Sequence, residues 1–248
     1  MQSKPHHKQL AAAAIVSLAV VLSSNICDAA GFVLSCGADN DLYCVLKVND
    51  VACSRYDTWA QAVEGAPEGS PVLLLADDYP EAPAHIDASV LDRARQKKLQ
   101  LYVEYPAGFA NLEGGTPKRT HWERAVITSD RFGEALQPGR IVSVQDCHYV
   151  PFKADAPWMV LAKVAGFDTA VYGVPDSAQP ILFEHDGMLI ATTKLSQFVT
   201  GRYAPLDAWP IIWGAILRRL AGAESVFDLE YEPSVHASYA KNERMPAD

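Results

Sequence analysis

Positive charge is in short supply in this sequence. Its 248 residues carry 21 Lys and Arg against 30 Asp and Glu, a formal net charge of −9. Nucleic acid and anionic membrane surfaces both demand a cationic face, so neither is an expected partner. Cysteine is sparse as well, five in all, with no Cys-x-x-Cys pair and no Cys/His spacing that would hold zinc. No metal and no cofactor is expected. A membrane helix needs about 20 consecutive apolar residues. The run "LAAAAIVSLAVVLSS" near the start stops short of that. What remains is the composition of an ordinary globular protein, 49% hydrophobic and 21% charged.

The short apolar run has its own meaning. Lys4 and Lys8 precede it, and "NICDAAG" follows with small residues at its exit. A basic start, a brief apolar stretch and a small-residue end describe a secretory signal peptide over residues 1–30. The expected location is therefore periplasmic or secreted, with no membrane contact after cleavage. Losing this segment removes two lysines and one aspartate, so the remainder is more acidic still. Export makes disulfides permissible among Cys36, Cys44, Cys53 and Cys147. Cys36 and Cys53 fall on neighbouring strands and form a plausible pair; buried free thiols fit equally well, since Cys packs as a small hydrophobe.

Past residue 30, strand and helix patterns alternate. "GFVLSCG" is a short apolar strand, and "ADNDLYCVLKVND" a helix with Asp39 as N-cap and Leu42, Val45 and Leu46 on one face. "VACSRYD" is a second strand; "DTWAQAVEGAPEG" is a helix opened by Asp57 and closed by Gly65 and Pro67. "PVLLLADDYP" is apolar without alternation, as parallel strands covered on both faces require. "IDASVLDRARQKKLQ" is a helix capped by Asp87, and "LQLYVEYP" the next strand. This alternation predicts an α/β domain over residues 31–222, with a doubly wound, mainly parallel sheet and helices on both faces.

The second half reads as β-rich. Asp186-Gly187 between Phe183 and Leu189 is a strong hairpin signal. "LDAWPIIWGAILRRLAG" is a helix capped by Asp207, closed by Gly222, with Trp209, Ile212, Trp213, Ile216, Leu217 and Leu220 as its apolar stripe. Residues 223–248 lose periodicity and read as an extended tail or linker.

In a parallel sheet, ligands collect beyond the carboxyl ends of the strands. The acidic turns at Asp39, Asp57, Asp77 and Asp78 and the bend at Glu104 therefore share one rim. The layout of "VLLLADDYP" followed by a helix and "LYVEYPAG" resembles the class I glutamine amidotransferase-like superfamily, whose fold is flavodoxin-like. The resemblance covers residues 31–220 at the level of architecture. Active members present a nucleophilic Cys in a Gly-x-Cys-x-Gly elbow after the second of these strands, where this chain has Glu104. A carboxylate is a weak nucleophile toward amides, and "FEHDG" offers Glu184 and His185 side by side, facing opposite ways on a strand. The resemblance thus implies a branch without glutaminase chemistry. "LIATTKLSQFVTGRYAPLDAW" is similar to nucleophile-lacking modules that accompany bacterial carbohydrate-active proteins. That implies a carbohydrate ligand or a glycoside hydrolase domain as partner.

The candidate ligand-binding residues are Asp39, Asp77, Tyr79, Tyr105, Lys194, Arg202 and Tyr203, with Arg202 suited to pairing either with a uronic acid or with a rim carboxylate. Glu104 and Asp78 are the candidate acid/base pair if the chain is instead a hydrolase of a sugar-derived substrate. A third reading is a purely structural interaction domain. Elsewhere, Trp122 between His121 and Glu123 is able to stack on a sugar or to pack locally. His148, beside Cys147, reads as a structural histidine.

Overall fold

The computed structural model describes residues 31–109, 111–201, 203–222 and 224–232. Residues 1–30, the expected signal segment, and Arg202 lie outside the described residues. Ten strands form one sheet: β1 (Phe32–Ser35), β2 (Cys53–Tyr56), β3 (Pro71–Leu74), β4 (Gln100–Glu104), β5 (Arg124–Ile127), β6 (Ile141–Val144), β7 (Met159–Ala162), β8 (Gln179–His185), β9 (Met188–Ala191) and β10 (Tyr203–Ala204). Their order is β10-β6-β5-β7-β8-β9-β4-β3-β1-β2. Four α-helices accompany them: α1 (Asp41–Val48), α2 (Trp59–Gly65), α3 (Ala88–Gln96) and α4 (Ala208–Ala221).

The sheet has two characters. From β2 to β9 the neighbours run parallel, with Leu34 opposite Leu73, Leu73 opposite Tyr102 and Val103 opposite Ile190. From β9 to β10 every pair is antiparallel. The expected doubly wound, mainly parallel flavodoxin-like sheet is therefore corrected to a large mixed sheet that dominates a helix-poor fold. The physical reason lies in the connections. Parallel neighbours need a crossover of a dozen or more residues, usually a helix. Helices link β1 to β2, β2 to β3 and β3 to β4, but among the described residues none lies between Glu104 and Met188 except short 3-10 turns. Those strands return as antiparallel neighbours, and the Asp186-Gly187 turn, with φ of 48° and 77°, closes the β8–β9 hairpin.

Two apolar layers cover the parallel half. α1 and α4 bury Leu42, Leu46, Trp209, Trp213 and Ile216 on one face with Leu34, Leu73 and Tyr102. α2 and α3 bury Ala62, Val63, Leu91 and Ala94 on the other, with Val33, Val72 and Val103. A bidentate Arg93–Glu64 pair joins α2 to α3 at 2.8 and 3.0 Å. Asp87 and Asp207 stand at the N-cap positions of α3 and α4 as expected, whereas the caps of α1 and α2 sit one residue beyond the expected aspartates. Asn40 Oδ1 accepts from the Tyr43 amide and Thr58 Oγ1 from the Gln61 amide. Among the described residues no helix is long and apolar enough to cross a membrane.

The expected tail begins as a strap on the core. Residues 224–232 have no regular secondary structure, yet Leu229 is buried, Phe227 meets Phe32 edge-on at 5.4 Å, and Tyr231 meets Phe198 at 4.9 Å. Asn49 and Glu230 exchange two hydrogen bonds of 2.8 Å. Gly214 of α4 permits this approach, since a Cβ there would stand 2.9 Å from the Phe227 carbonyl oxygen. If the strap contributes to the core, Leu229→Ala destabilises the protein by about 2–3 kcal/mol. Urea unfolding checks this; a loss below half a kilocalorie would mean that the strap is merely laid over the surface.

Candidate functional site

The carboxyl ends of β1, β3, β4 and β9 form the rim on which the acidic turns converge. β1 lies between β2 and β3, while α1 and α2 cover opposite faces. The chain thus changes face around β1, and this is the topological switch at which open α/β sheets leave a crevice. A cleft of about 650 Å³ opens there, lined by Asp57, Trp59, Asp77, Asp78, His85 and Asp87 among others. Trp59 forms part of its wall, its Nε1 donating to the Leu75 carbonyl at 3.0 Å. Asp77 accepts from the Gly37 amide at 2.9 Å, which aligns the β1 and β3 turns. Asp39 flanks Gly37 as well, with Asp39 Oδ1 2.9 Å from where a Gly37 Cβ would lie. Asp39, Asp77 and Asp78 are all exposed.

Glu104 is not on this open surface. It is fully buried, and four donors occupy its two oxygens. The Ser196 amide and Tyr102 hydroxyl reach Oε1 at 2.9 and 3.1 Å; the Ser196 hydroxyl and Ala76 amide reach Oε2 at 2.8 and 3.2 Å. Burial raises its pKa, against the pull of Lys194 and of the Ser196 and Ala76 donors. A carboxylate enclosed in this way has no free lone pair for a substrate. Glu104 and Asp78 therefore do not form an acid/base pair across a shared site. The strained residue of the bend is Tyr105, one position on, with φ of 49°. Its side chain is buried, its ring meets Tyr79 edge-on at 4.9 Å, and its hydroxyl makes only a long 3.5 Å contact to the Pro80 carbonyl.

The other predicted ligand-binding hydroxyls are also turned inward. Tyr79 Oη accepts from the His148 amide at 2.6 Å and lies 3.4 Å from Thr193 Oγ1. Tyr203 Oη donates to the Lys194 carbonyl at 2.6 Å and lies 3.1 Å from Cys147 Sγ. Lys194 is half-buried, its charge felt by Glu104. The structure thus divides the predicted set into a solvated group, Asp39, Asp77 and Asp78, and an internal polar group around Glu104, Tyr79 and Tyr203. His85, Trp59 and Thr58 in the cleft wall were not singled out from sequence. Only their position just beyond a strand end, or in the Pro-rich turn after Asp78, marks them.

The two buried thiols, Cys36 and Cys147, are poorly placed to act as nucleophiles. All four described cysteines are free. The Cys36–Cys53 pairing is excluded by register: Cys53 lies opposite Phe32, whereas Cys36 follows the far end of β1, beyond disulfide reach. Burial pushes Cys36 up to about 12, aided by the charge of Asp77 and opposed by Arg55. Burial also raises Cys147, against the hydrogen bonds of Tyr203 and Tyr79. Thiols held protonated are poor nucleophiles. The described residues contain no group of three or more His, Cys, Asp or Glu arranged to hold a metal ion.

No protein-family model matches the chain, and no curated protein matches its sequence. Among solved structures, Agd3, described as a novel carbohydrate deacetylase, is similar in fold, with TM-score 0.50 and 11% identity over 77% of this chain and 32% of its own. The chain matches about a third of that protein's length, and at this identity the likeness concerns fold alone.

Two outcomes test the description of the rim. Glu104→Gln places an amide N–H against donors and destabilises the fold by about 3 kcal/mol. Because the folded pKa lies above the unfolded one, the native state holds this proton more tightly. The contribution of Glu104 is therefore greatest below the ordinary glutamate range and declines as pH rises through the elevated value. Urea unfolding at stepped pH should show this slope in the wild type and lose it in the variant. A stable Glu104→Gln protein with unchanged pH dependence would contradict the buried assignment. In a thiol-labelling series, exposed Cys44 reacts first, while Cys36 and Cys147 react only on unfolding; equal rates would overturn that order.

Proposed function

We propose that this is an exported, carbohydrate-associated binding or assembly module with no amide-cleaving chemistry, the role implied by its resemblance to nucleophile-lacking amidotransferase-like proteins. One observation carries the reading. At the bend where an amidotransferase needs a thiolate stands a buried carboxylate with every acceptor position occupied, and beside it lies an open, acceptor-rich cleft at the switch point of the sheet. Carboxylates accept paired hydroxyls, His85 offers a further polar contact, and Trp59 forms an aromatic part of the wall. The only guanidinium described near this rim, Arg55, is held by Asp57 at 2.6 Å. The cleft therefore suits an uncharged or amino sugar better than an acidic one. The fold likeness to one third of a carbohydrate deacetylase supports a carbohydrate association and no more; a glycoside hydrolase as partner rests on the sequence resemblance alone.

A thermal-shift screen with neutral, amino and uronic sugars, with product analysis on each hit, tests this. A bound sugar at several times its Kd raises Tm by about 2–4 °C for a chain of this size. The shift disappears in Asp78→Asn, and no product forms. Product release would favour the hydrolase reading. No shift with any sugar would leave the rim as a structural feature and defeat the proposal.

A further inference from the structure

A second surface lies away from the strand-end cleft, at the antiparallel end of the sheet. Its cleft of about 790 Å³ is bounded by the loop before β5, the end of β6 and the loop after β7, including Trp122, Glu123, Gln145, Asp146 and Lys163. Trp122 is 81% exposed, and the β7–β8 connection carries Phe167 at 97% and Tyr172 at 88%. Single exposed apolar residues are ordinary; three large aromatics on two adjoining loops are not.

Both loops are held in place, so the aromatics are displayed by a fixed backbone. Glu123 Oε2 folds back to accept from the His121 and Trp122 amides at 2.8 and 3.2 Å. The Thr120 amide donates to the Cys147 carbonyl at 2.8 Å, anchoring the base of the loop. Arg124 then ties the loops together, donating to the carbonyls of Gly166 and Val164. The second loop is pinned again where the Val171 amide donates to the Ala165 carbonyl at 3.0 Å, and where Arg140 pairs with Asp168 at 3.1 Å. Gly166, at φ 126°, permits the turn, because a Cβ there would lie 1.9 Å from the Thr169 carbonyl oxygen.

Of the charges on this surface, Arg124 is engaged by backbone carbonyls and the others form ion pairs. Lys163 faces Glu123 at 3.6 Å, and Arg119 faces Asp146 at 2.8 Å. On a chain of net charge −9, such a largely paired patch holds little excess charge to attract an ionic polymer. What it presents is the exposed Trp122 ring beside hydrogen-bonding groups. That combination matches a sugar ring, whose C–H face stacks on an aromatic while its hydroxyls bond to carboxylate and amide groups. We infer that this cleft is a binding site for an uncharged glycan chain, with Trp122 as its stacking platform and Glu123, Gln145 and Lys163 as its hydrogen-bonding edge. The site extends carbohydrate recognition to a second surface and does not depend on the strand-end cleft.

Native gel electrophoresis of the full chain through hydroxyethylcellulose, soluble starch, galactomannan or glycol chitin tests the inference, with polygalacturonate as the charged control. At least one uncharged polymer should retard the wild type, and polygalacturonate should not. Trp122→Ala weakens retardation about tenfold or more, as for a truncated aromatic anchor, and Trp122→Phe retains part of it. Near-ultraviolet dichroism and Tm of Trp122→Ala verify that its fold is intact. An Asp78→Asn arm separates the two sites: binding lost there but kept in Trp122→Ala overturns this inference and leaves the strand-end proposal standing. Retardation by none of the polymers overturns it too. So does a sedimentation shift that Trp122→Ala reverses without any glycan effect, which would identify the patch as a contact between copies.

Discussion

The buried carboxylate of Glu104 joins elements that are far apart in the chain. It takes the Ala76 amide just past β3, the Tyr102 hydroxyl on its own strand, and both the amide and hydroxyl of Ser196 beyond β9. Ser196 passes the connection on, since the Asn40 side chain donates to its hydroxyl at 3.1 Å while Asn40 Oδ1 caps α1. One charged or chargeable group therefore sets the relative positions of three parallel strand ends and the first helix. Asp41 repeats the device next door, accepting from the Val199 and Thr200 amides at 2.8 and 2.7 Å and holding the loop that leads toward β10. A buried acid stripped of its donors would be a heavy liability. With its donors in place, it fixes the geometry of the rim from beneath.

That arrangement explains why the cleft and the carboxylate expected at its centre are separate things. The sheet changes face at β1, so a crevice opens beyond β1, β2 and β3. Its walls carry the solvated aspartates, while Glu104 lies one layer below as support. The acidic residues at strand ends thus perform two different tasks, and only burial distinguishes them. An exposed carboxylate keeps its lone pairs for a ligand; a buried one has already used them.

The same distinction marks what could be read from sequence. The helices were legible because their apolar positions recur at helical spacing, and α4 buries Trp209, Ile212, Trp213, Ile216, Leu217 and Leu220 as that stripe requires. The Asp-Gly turn gave the β8–β9 hairpin because left-handed backbone favours those residues. The α1 and α2 caps slipped by one because Asp39 and Asn40, or Asp57 and Thr58, are chemically able to cap, and neighbouring geometry chooses between them; Asp87 and Asp207 stand where expected. The sheet as a whole was misjudged, since strand direction depends on connections that local pattern does not encode. The Glu104–Ser196 contact spans 92 residues and the Tyr203–Cys147 contact 56, so no periodicity reports either. Trp122 was visible as a residue, but the loop that Arg124 fastens beside it, through the Val164 and Gly166 carbonyls, was not.

The bend after β4 shows how strained geometry serves a purpose other than nucleophilic attack. A buried tyrosine at φ 49° is unfavourable and persists only where its surroundings over-determine it. Here the Tyr105 amide donates to the Ala191 carbonyl at 2.7 Å, and its own carbonyl accepts from the Ala84 amide at 2.9 Å. Ala84 in turn accepts from the Ala107 amide at 2.8 Å and bridges to Pro106. These bonds hold residues 82–86, the segment that supplies His85 and one wall of the cleft. In an enzyme with an elbow, the bend would aim a side chain at the substrate. In this protein it aims a backbone carbonyl at a loop, and the loop forms one wall of the cleft. The strain and the cleft wall are therefore linked through main-chain hydrogen bonds, with no reactive side chain between them.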